Sequence, residues 1–402
     1  LWGVHRRTSL NSEPNQRGAR PDWAQLVSST DIRKYISEHG VSKASLLSLC
    51  SNLFDPLLLT APFISTSRQL FRQVLREVKL DSWKAQVPEA YYDRIAWLAE
   101  DLLTVGKKLQ VPRRAVVPNP LPSEAHKHPY GFATLLLISD GSCEAGMAAA
   151  YVHQQFPYES GLWGPEADFS EVITTCNLLC ATVKLTDNKG NNTQVCGELL
   201  GKFIACQMKD FIVSNVLIKF HQVRVCSDSL TVEKAIRKTD ACYSIWAGKR
   251  IASIQRSIDL DQSWHIPHEI TDATVDACTK YQKVPSSSLN DQWFFGKGVL
   301  DKPLQLLPFT DRSTYSQPRL DDFPSQWLST AARTFLGLKM PAIVIMKMTV
   351  EDKSIPAQST LEFLAQKYTN VEKAISVVQY LLGMKASFTK LPVHLQREEI
   401  GE

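Results

Sequence analysis

The chain has 402 residues, of which 44% are hydrophobic and 21% are charged, and its 45 basic and 41 acidic residues give a net charge of +4. This composition is that of a globular protein, and it excludes a chain that is disordered throughout. At roughly 100–200 residues per domain, the length predicts two to three domains. The weakly basic charge permits nucleic-acid binding but does not argue for it.

The sequence carries no sign of a targeting signal or a membrane span. Its longest apolar runs, at 133–138 and 342–346, have the length of core strands. The polar, arginine-rich N-terminus excludes a secretory signal peptide, and nine cysteines without metal-ligand spacing predict reduced, buried thiols. We therefore expect a protein that is cytoplasmic or nuclear and not secreted. Because the chain begins at Leu1 rather than Met, we also expect a segment of a longer translation product.

The first third of the chain changes from polar to helical. Residues 1–42 are predicted to be a polar tail or the edge of a preceding domain. Residues 43–115 carry apolar positions at helical spacing, which predicts a helical region. Its predicted helices are 45–53, 67–78 and 91–109. Four prolines between residues 112 and 122 then predict a linker and a domain boundary.

Residues 125–284 alternate between strand-like and helix-like patterns and are predicted to form one domain. Its predicted strands are 133–139, 147–154, 177–185, 222–226 and 263–266, and its predicted helices are 195–213, 230–237, 244–257 and 273–281. The resulting order is β-β-β-α-β-α-α-β-α, with the first three strands as an antiparallel meander. Because proline and serine become frequent afterwards, residues 285–356 are predicted to be an irregular tether. Residues 357–402 are predicted to be a C-terminal helical region.

Four carboxylates occupy suggestive places in this order. Asp140 ends the first strand and Asp228 ends the fourth, whereas Glu198 lies in the first long helix. Asp276 lies in the last helix. The order of elements is that of the ribonuclease H-like fold, in which strands one and four are neighbours, so these carboxylates would meet. Such a cluster needs cations between its charges, and its hard oxygen atoms suit Mg²⁺ or Mn²⁺.

Each carboxylate also has an ordinary structural explanation. Asp140 precedes Gly141 in a common turn pattern, and Glu198 could favour the positive end of a helix dipole. Asp228 could belong to the N-cap of the next helix, and Asp276 could be a solvated helix residue. Each explanation is preferred when its residue is taken alone. Their joint occurrence in this order favours a shared metal site.

These segments resemble the ribonuclease H region of the Pol polyprotein of BEL/Pao-type LTR retrotransposons. The resemblance spans residues 45–382, most of the chain. Its segments are SLCSNLFDP (48–56), APF (61–63), GFATLLLISD (131–140), CGELL (196–200), CSDS (226–229), WAGKRIASIQ (246–255), WHIP (264–267), DACTK (276–280) and WFFG (293–296). Several motifs in order make the resemblance specific, although no single motif would.

The resemblance implies an α/β fold with a ribonuclease H-like mixed five-stranded sheet and flanking helices. A thumb-like or connection-like helical region would precede the sheet, and a C-terminal helical region would follow it. The implied activity is cutting of the RNA strand of an RNA–DNA hybrid with two Mg²⁺ or Mn²⁺ ions. The implied catalytic and metal-binding residues are Asp140, Glu198, Asp228 and Asp276. The resemblance also implies a reverse transcriptase upstream and an integrase downstream in the same polyprotein.

Two assignments near the last helix stay open. Asp272 competes with Asp276 as the fourth carboxylate, and Asp272 makes better sense as a helix N-cap. His268 lies in the loop where some ribonucleases H place a proton-shuttling histidine, although a solvated loop histidine is the simpler explanation. The family often has Asp-Ala-Ser where this chain has Asp140-Gly141-Ser142, which is closer to cellular ribonucleases H. The helix that carries Glu198 lacks the family's preceding Pro-Arg, and these departures together leave some decay from an active enzyme open.

Basic residues in the predicted domain are candidates for contacts with a nucleic-acid backbone. These residues are Lys202, Lys209 and Arg224, together with Lys219, and their simpler explanation is solvation. Two further functions stay open beside the nuclease. One is a decayed or co-opted ribonuclease H-like module that binds nucleic acid, and the other is a strand transferase of the DDE type. The strand transferase is disfavoured because its core has no long glutamate-bearing helix between strands three and four.

Overall fold

The structure is a computed structural model that describes residues 29–310 and 322–329, with gaps at 52–54, 56, 79–80, 109–114, 124, 157–168, 170–171, 187–192, 239–242 and 283. The predicted tail before residue 29 and the predicted C-terminal helical region (357–402) lie outside the described residues. The helices are α1 (Ser29–His39), α2 (Lys43–Cys50), α3 (Ala61–Glu77), α4 (Tyr92–Lys108), α5 (Gln194–Asn215), α6 (Leu230–Arg237), α7 (Ile245–Ser257), α8 (His268–Thr274) and α9 (Asp291–Phe295). The strands are β1 (Phe132–Gly141), β2 (Ala145–Phe156), β3 (Ile173–Leu185), β4 (Gln222–Ser227) and β5 (Ser263–His265).

The five strands form one mixed sheet in the order β3-β2-β1-β4-β5. β1 pairs antiparallel with β2, and β2 pairs antiparallel with β3. β1 pairs in parallel with β4, and β4 pairs in parallel with β5. β1 is central and is buried from Ala133 onward, as expected for a strand covered on both faces. The predicted fold class, a ribonuclease H-like mixed sheet with flanking helices, is therefore confirmed.

Each face of the sheet packs against a different kind of cover. The helical face carries Leu135, Leu137 and Ala150 and is covered by α5, α6 and α7. The irregular face carries Leu136, Ile138 and Tyr151, and its cover includes α8 and the segment 293–307. Side chains alternate along β1, so consecutive residues serve opposite faces.

Glycines allow α5 to lie directly on the turn between β1 and β2. A Cβ atom added to Gly141 would lie 1.9 Å from the carbonyl carbon of Gly197. A Cβ atom added to Gly201, one turn further along α5, would lie 2.3 Å from the carbonyl oxygen of Asp140. The backbones of the helix and of the strand therefore meet without intervening side chains, which only glycine permits. This contact fixes where α5 places its side chains relative to the end of β1.

Three predictions about the chain's organisation need correction. Residues 29–39, predicted as part of a polar tail, form α1, because Ile32 and Ile36 one turn apart give it a buried stripe. Residues 285–309, predicted as a tether, pack on the irregular face, where Trp293 is buried and its indole donates a hydrogen bond of 2.7 Å to the carbonyl of Leu59. The predicted helix 273–281 is instead α8 followed by the 3₁₀ turn Asp276–Cys278.

The helical region at the start packs on the rest of the molecule. α1 to α4 share their own apolar core, and all described residues belong to one compact unit. The Arg72 guanidinium of α3 donates hydrogen bonds of 2.6 Å to the carbonyl of Glu144, in the β1–β2 connection, and to the carbonyl of Thr186, directly after β3. Among the described residues, no helix combines the length and the apolar character that crossing a bilayer requires.

Candidate active site

The parallel pairing of β1 and β4 determines where two of the candidate carboxylates lie. Ser139 is in register with Ser227 at the ends of these strands. Asp140 follows Ser139 on β1 and Asp228 follows Ser227 after β4, so both carboxylates leave the sheet at the same edge. Asp140 is only 7% exposed, and the side chain of Asp228 is 9% exposed. The strand order therefore places two acidic side chains at one partly enclosed edge.

Glu198 reaches the same edge because of the glycine contact beneath α5. The helix begins after Thr193, whose side chain caps it by accepting a hydrogen bond from the backbone of Cys196. Gly197 touches the backbone of Ser142, and Glu198 is the next residue. The hydroxyl of Ser229, beside Asp228, donates a hydrogen bond of 2.5 Å to Glu198 Oε2. Glu198 is thus linked to the loop that carries Asp228.

The two candidates for the fourth carboxylate lie in different environments. α8 begins at His268 after Pro267, so Asp272 lies inside the helix, is exposed, and is not the N-cap that the sequence predicts. Asp276 begins the following 3₁₀ turn, and its Oδ1 lies 2.5 Å from Lys280 Nζ. The Asp276 charge contributes to the raised pKa of Asp140. This interaction favours Asp276 as the fourth member of the site.

Burial and mutual repulsion change the electrostatics of these carboxylates. Burial, and next the neighbouring Asp228, raise the pKa of Asp140 to about 7. Burial also raises the pKa of Glu198, and the negative charge of Asp228 raises it further. The carboxylates therefore repel one another electrostatically, and nearby positive groups do not fully neutralise the negative charge at this edge.

Two threonine hydroxyls that sequence reasoning missed bind the carboxylates of this edge. Thr279 donates a hydrogen bond of 2.8 Å to Asp140 Oδ2, and Thr271 donates one of 2.7 Å to Asp228 Oδ2. Both threonines are buried. A signal was present in the spacing, because Thr279 follows Asp276 by three residues in the matching motif DACTK. Hydroxyl residues are too common, however, for that spacing to identify a partner in advance.

His268 lies at the entrance to the site. Its side chain is 78% exposed, and Nδ1 lies 2.8 Å from Asp228 Oδ2. This hydrogen bond raises the pKa of His268 above its ordinary value. The residue predicted as a proton shuttle is therefore in contact with a candidate carboxylate and with solvent at once.

The three predicted nucleic-acid contacts do not form a free basic surface. Lys202 is completely buried and forms an ion pair of 2.7 Å with the equally buried Glu233, so its prediction is wrong. The Lys209 ammonium donates to the carbonyl of Ser257 and pairs with Asp210. The Arg224 guanidinium stacks on Trp264, with its carbon 4.2 Å from the ring centroid. The charge of these three residues can be read from the sequence, but their interaction partners inside the protein cannot.

The donor set suits a divalent cation, but the carboxylates do not form a closed cluster. Within the residues that the structure describes, no three His, Cys, Asp or Glu side chains are close enough to hold a metal ion. The chemistry nevertheless fits, because carboxylates are hard oxygen donors, and burial followed by the charge of Asp228 raises the pKa of Asp140. Hydroxyl groups or an ammonium currently bind each carboxylate.

Comparison with known proteins agrees with this architecture. Residues 42–229 match the model of the Pao retrotransposon-like RNaseH-like domain. No curated protein and no solved structure matches the chain. RNase H-like domains generally use divalent metals, and their functions concern nucleic acids. Residues 42–229 are therefore similar to the Pao retrotransposon-like RNaseH-like domain family.

Proposed function

We propose that this protein is a retrotransposon-derived endoribonuclease that cuts the RNA strand of an RNA–DNA hybrid. The observation that supports this proposal most is the meeting of acidic side chains where β1 and β4 end in parallel. Residues from four separate parts of the chain contribute to this edge, and they would hold two Mg²⁺ or Mn²⁺ ions. These residues are Asp140, Glu198, Asp228 and Asp276.

The chain's own residues would prepare this edge for phosphodiester hydrolysis. When bound, the two ions supply an activated water and stabilise the leaving oxygen. Thr279 and Thr271 orient the carboxylates of Asp140 and Asp228. His268, exposed and hydrogen-bonded to Asp228, can exchange a proton with solvent beside the reacting phosphate.

The hybrid itself would determine which strand is cut. Its shallow minor groove displays 2′-hydroxyls on the RNA strand only, so a site that contacts this groove can tell the strands apart. Two side chains with nitrogen donors contact the candidate carboxylates: Lys280, which is 61% exposed at its side chain, and His268. They could contact phosphates next to the cut, whereas Lys202 is completely buried in its ion pair with Glu233 and cannot.

Removal of one carboxylate should have the largest effect on this function and is its most direct test. Asp140→Asn should reduce Mg²⁺-dependent cutting of a hybrid by more than the roughly 10–100-fold that loss of an outer-shell partner costs. Asp291→Asn, in an exposed pair with Lys297, is the matched control and should cut normally. Cutting of a labelled hybrid with Mg²⁺, Mn²⁺ or a chelator is the measurement. Equal rates for Asp140→Asn and the unmodified protein would exclude this active site.

A second candidate function is nucleic-acid binding without cutting. It is favoured by the absence, among the described residues, of three ligating side chains close enough to hold an ion. A decayed or co-opted module should bind the hybrid in a gel-shift assay but leave it intact in Mg²⁺ and Mn²⁺. Asp140→Asn should then change the affinity little or raise it, because it removes a negative charge from the bound edge.

The same proposal implies which domains neighbour this one in the polyprotein and where in the cell it acts. A Pao-type ribonuclease H region would act within a Pol polyprotein, with a reverse transcriptase before it and an integrase after it. Reverse transcription would supply the RNA–DNA hybrid, so we propose a cytoplasmic or nuclear location. Fractionation of cells that express the tagged chain, together with capture of both neighbouring domains from the same precursor, would test this placement.

A further inference from the structure

Helix α3 extends from the helical region to the back of the candidate active site. The Ser65 hydroxyl donates a hydrogen bond to the carbonyl of Cys278. The side-chain amide of Gln69, one turn later, donates to Ser65 Oγ at 3.1 Å and to the carbonyl of Thr279 at 3.3 Å. Both α3 side chains are buried. The helix therefore binds the backbone of the turn that follows Asp276.

The same turn is also bound from the sheet. The Ser142 hydroxyl, next to Gly141 at the end of β1, donates a hydrogen bond of 2.6 Å to the carbonyl of Thr279. The Thr279 side chain is completely buried and donates in turn to Asp140 Oδ2. The Thr279 carbonyl thus accepts hydrogen bonds from Gln69 and Ser142, while its hydroxyl fixes Asp140. Backbone and side chain of one residue are held at the same time.

We infer that α3 positions the active site, with Gln69 fixing Thr279 and Thr279 fixing the orientation of the Asp140 carboxylate. This inference rests on the proposed nuclease function and adds to it two positioning residues, neither of which touches the substrate. It assigns the region before the sheet a part in catalysis, beyond that of a connection between domains.

The chemistry of Gln69 supports positioning over plain packing. A buried amide loses its hydration and is tolerated only where partners replace it, whereas leucine would fill the same space without that cost. Its neighbour Leu70 shows the alternative, since it is fully buried in the apolar core of the helical region. Along the same helix, therefore, one residue packs and the adjacent residue binds the turn.

The geometry also determines which kinetic constant should change. Gln69 and Thr279 lie behind Asp140 and are 6% and 0% exposed, so neither can contact the hybrid. Their loss should leave substrate affinity unchanged and should disturb the orientation of a carboxylate that acts during the reaction. The expected signature is a lower kcat with an unchanged KM.

The experiment compares four variants of the full chain. Gln69→Leu and Thr279→Val remove the donors, and Thr279→Ser keeps the hydroxyl. Leu70→Ala removes apolar packing of α3 but keeps every hydrogen-bond donor to the turn. Each variant is assayed for kcat and KM on a labelled hybrid and for Mn²⁺ affinity by calorimetry. Hydrogen–deuterium exchange of the peptide 276–282 is measured as well. All measurements are made at a temperature where circular dichroism shows every variant folded.

Gln69→Leu and Thr279→Val should lower kcat or Mn²⁺ affinity about 10–100-fold, the usual effect of losing a partner that orients a ligand. Gln69→Leu should also accelerate exchange in 276–282, whereas Thr279→Ser and Leu70→Ala should resemble the unmodified protein in all three measurements. Unchanged exchange, or a kcat loss equal to that of Leu70→Ala, would overturn the inference.

Failure of the proposed function gives a different result. If the unmodified protein does not cut the hybrid at all, kcat is lost as a readout for every variant. Mn²⁺ affinity and exchange then decide the inference by themselves. A normal Mn²⁺ affinity in Thr279→Val would overturn the positioning role even if exchange in 276–282 had increased.

Discussion

The two faces of the sheet are buried to a similar depth but by different means. On the helical face, α5 lies against the strands through glycine contacts, and the buried pair of Lys202 and Glu233 joins it to α6. On the irregular face, side chains of the sheet bind backbone carbonyls of the segment that covers them. Tyr151 donates to the carbonyl of Trp293 and His153 contacts the carbonyl of Lys302, both at 2.9 Å.

This difference explains which cover could be recognised in advance. A helix satisfies its own backbone groups, so an amphipathic pattern is enough to predict that it covers a sheet. An irregular segment does not satisfy its own backbone groups, so its carbonyls need other hydrogen-bond donors wherever the segment is buried. Polar residues inside β2 are those partners.

The largest expected effect is on the helical face. Lys202→Met removes the charge that compensates the buried Glu233 carboxylate, and breaking such a pair costs about 3–5 kcal/mol of unfolding free energy. Lys297→Met, which breaks an exposed pair with Asp291, should cost about 0–1 kcal/mol. Urea denaturation measures both. Similar losses in the two variants would show that the interior pair does not hold α5 to α6.

An acid titration tests the irregular face. Burial lowers the pKa of His153 to about 4 from its ordinary value of 6.5, and Arg224 nearby opposes its protonation as well. The unfolded chain therefore binds this proton more readily, so the free energy of unfolding should fall as the pH drops from about 6.5 to 4. The loss is on the order of 3 kcal/mol. Denaturation midpoints measured across this range give the slope.

The matched variant for this titration is His153→Gln, whose amide can still donate to the Lys302 carbonyl. It has no group that titrates between pH 4 and 6.5, so its stability should fall less steeply with acid than that of the unmodified protein. Other histidines affect both proteins equally and cancel in the difference. Parallel curves would mean that His153 is protonated in the folded state without penalty.

The smallest expected effect concerns the glycine contact. A Cβ atom on Gly197 would lie 1.9 Å from the carbonyl oxygen of Ser142, so Gly197→Ala should destabilise the fold by about 1–3 kcal/mol. Gly248 in α7 has only the Tyr243 Cβ nearby, at 3.5 Å. There, replacement by alanine should stabilise the helix by about 0.5–1 kcal/mol. If both substitutions changed the free energy of unfolding in the same direction, direct backbone contact between α5 and the β1–β2 turn would be excluded.

The strand order and the placement of Asp140 beside Asp228 could be predicted because both depend on patterns along the chain. Apolar runs of strand length identify β1 and β4, and the order of elements makes them neighbours. The parallel register of Ser139 with Ser227 agrees with that prediction. The identity of the metal ligands remains a prediction, because it depends on how side chains turn.

Features that depend on contacts between distant residues could not be predicted. The spacing of Thr279 after Asp276 is too common to indicate that its hydroxyl binds Asp140, 139 residues earlier. The interior partners of Lys202 and Arg224 are equally invisible, because a lysine or arginine in an amphipathic pattern looks solvated. Residues 285–309 have no helical or strand periodicity. Their sequence therefore looks like an ordinary turn-rich segment, and nothing in it indicates that they are buried against the sheet.

The hydrogen bonds from α3 have a consequence for the order in which the molecule is made. Ser65 and Cys278 are separated by 213 residues, and Gln69 and Thr279 by 210. At a synthesis rate of about 5–20 residues per second, the helix waits on the order of 10–40 seconds before its partner turn leaves the ribosome. During that interval the buried amide of Gln69 must stay hydrated. The completed site is therefore a late product of translation, assembled only after both ends of this long loop of chain are available.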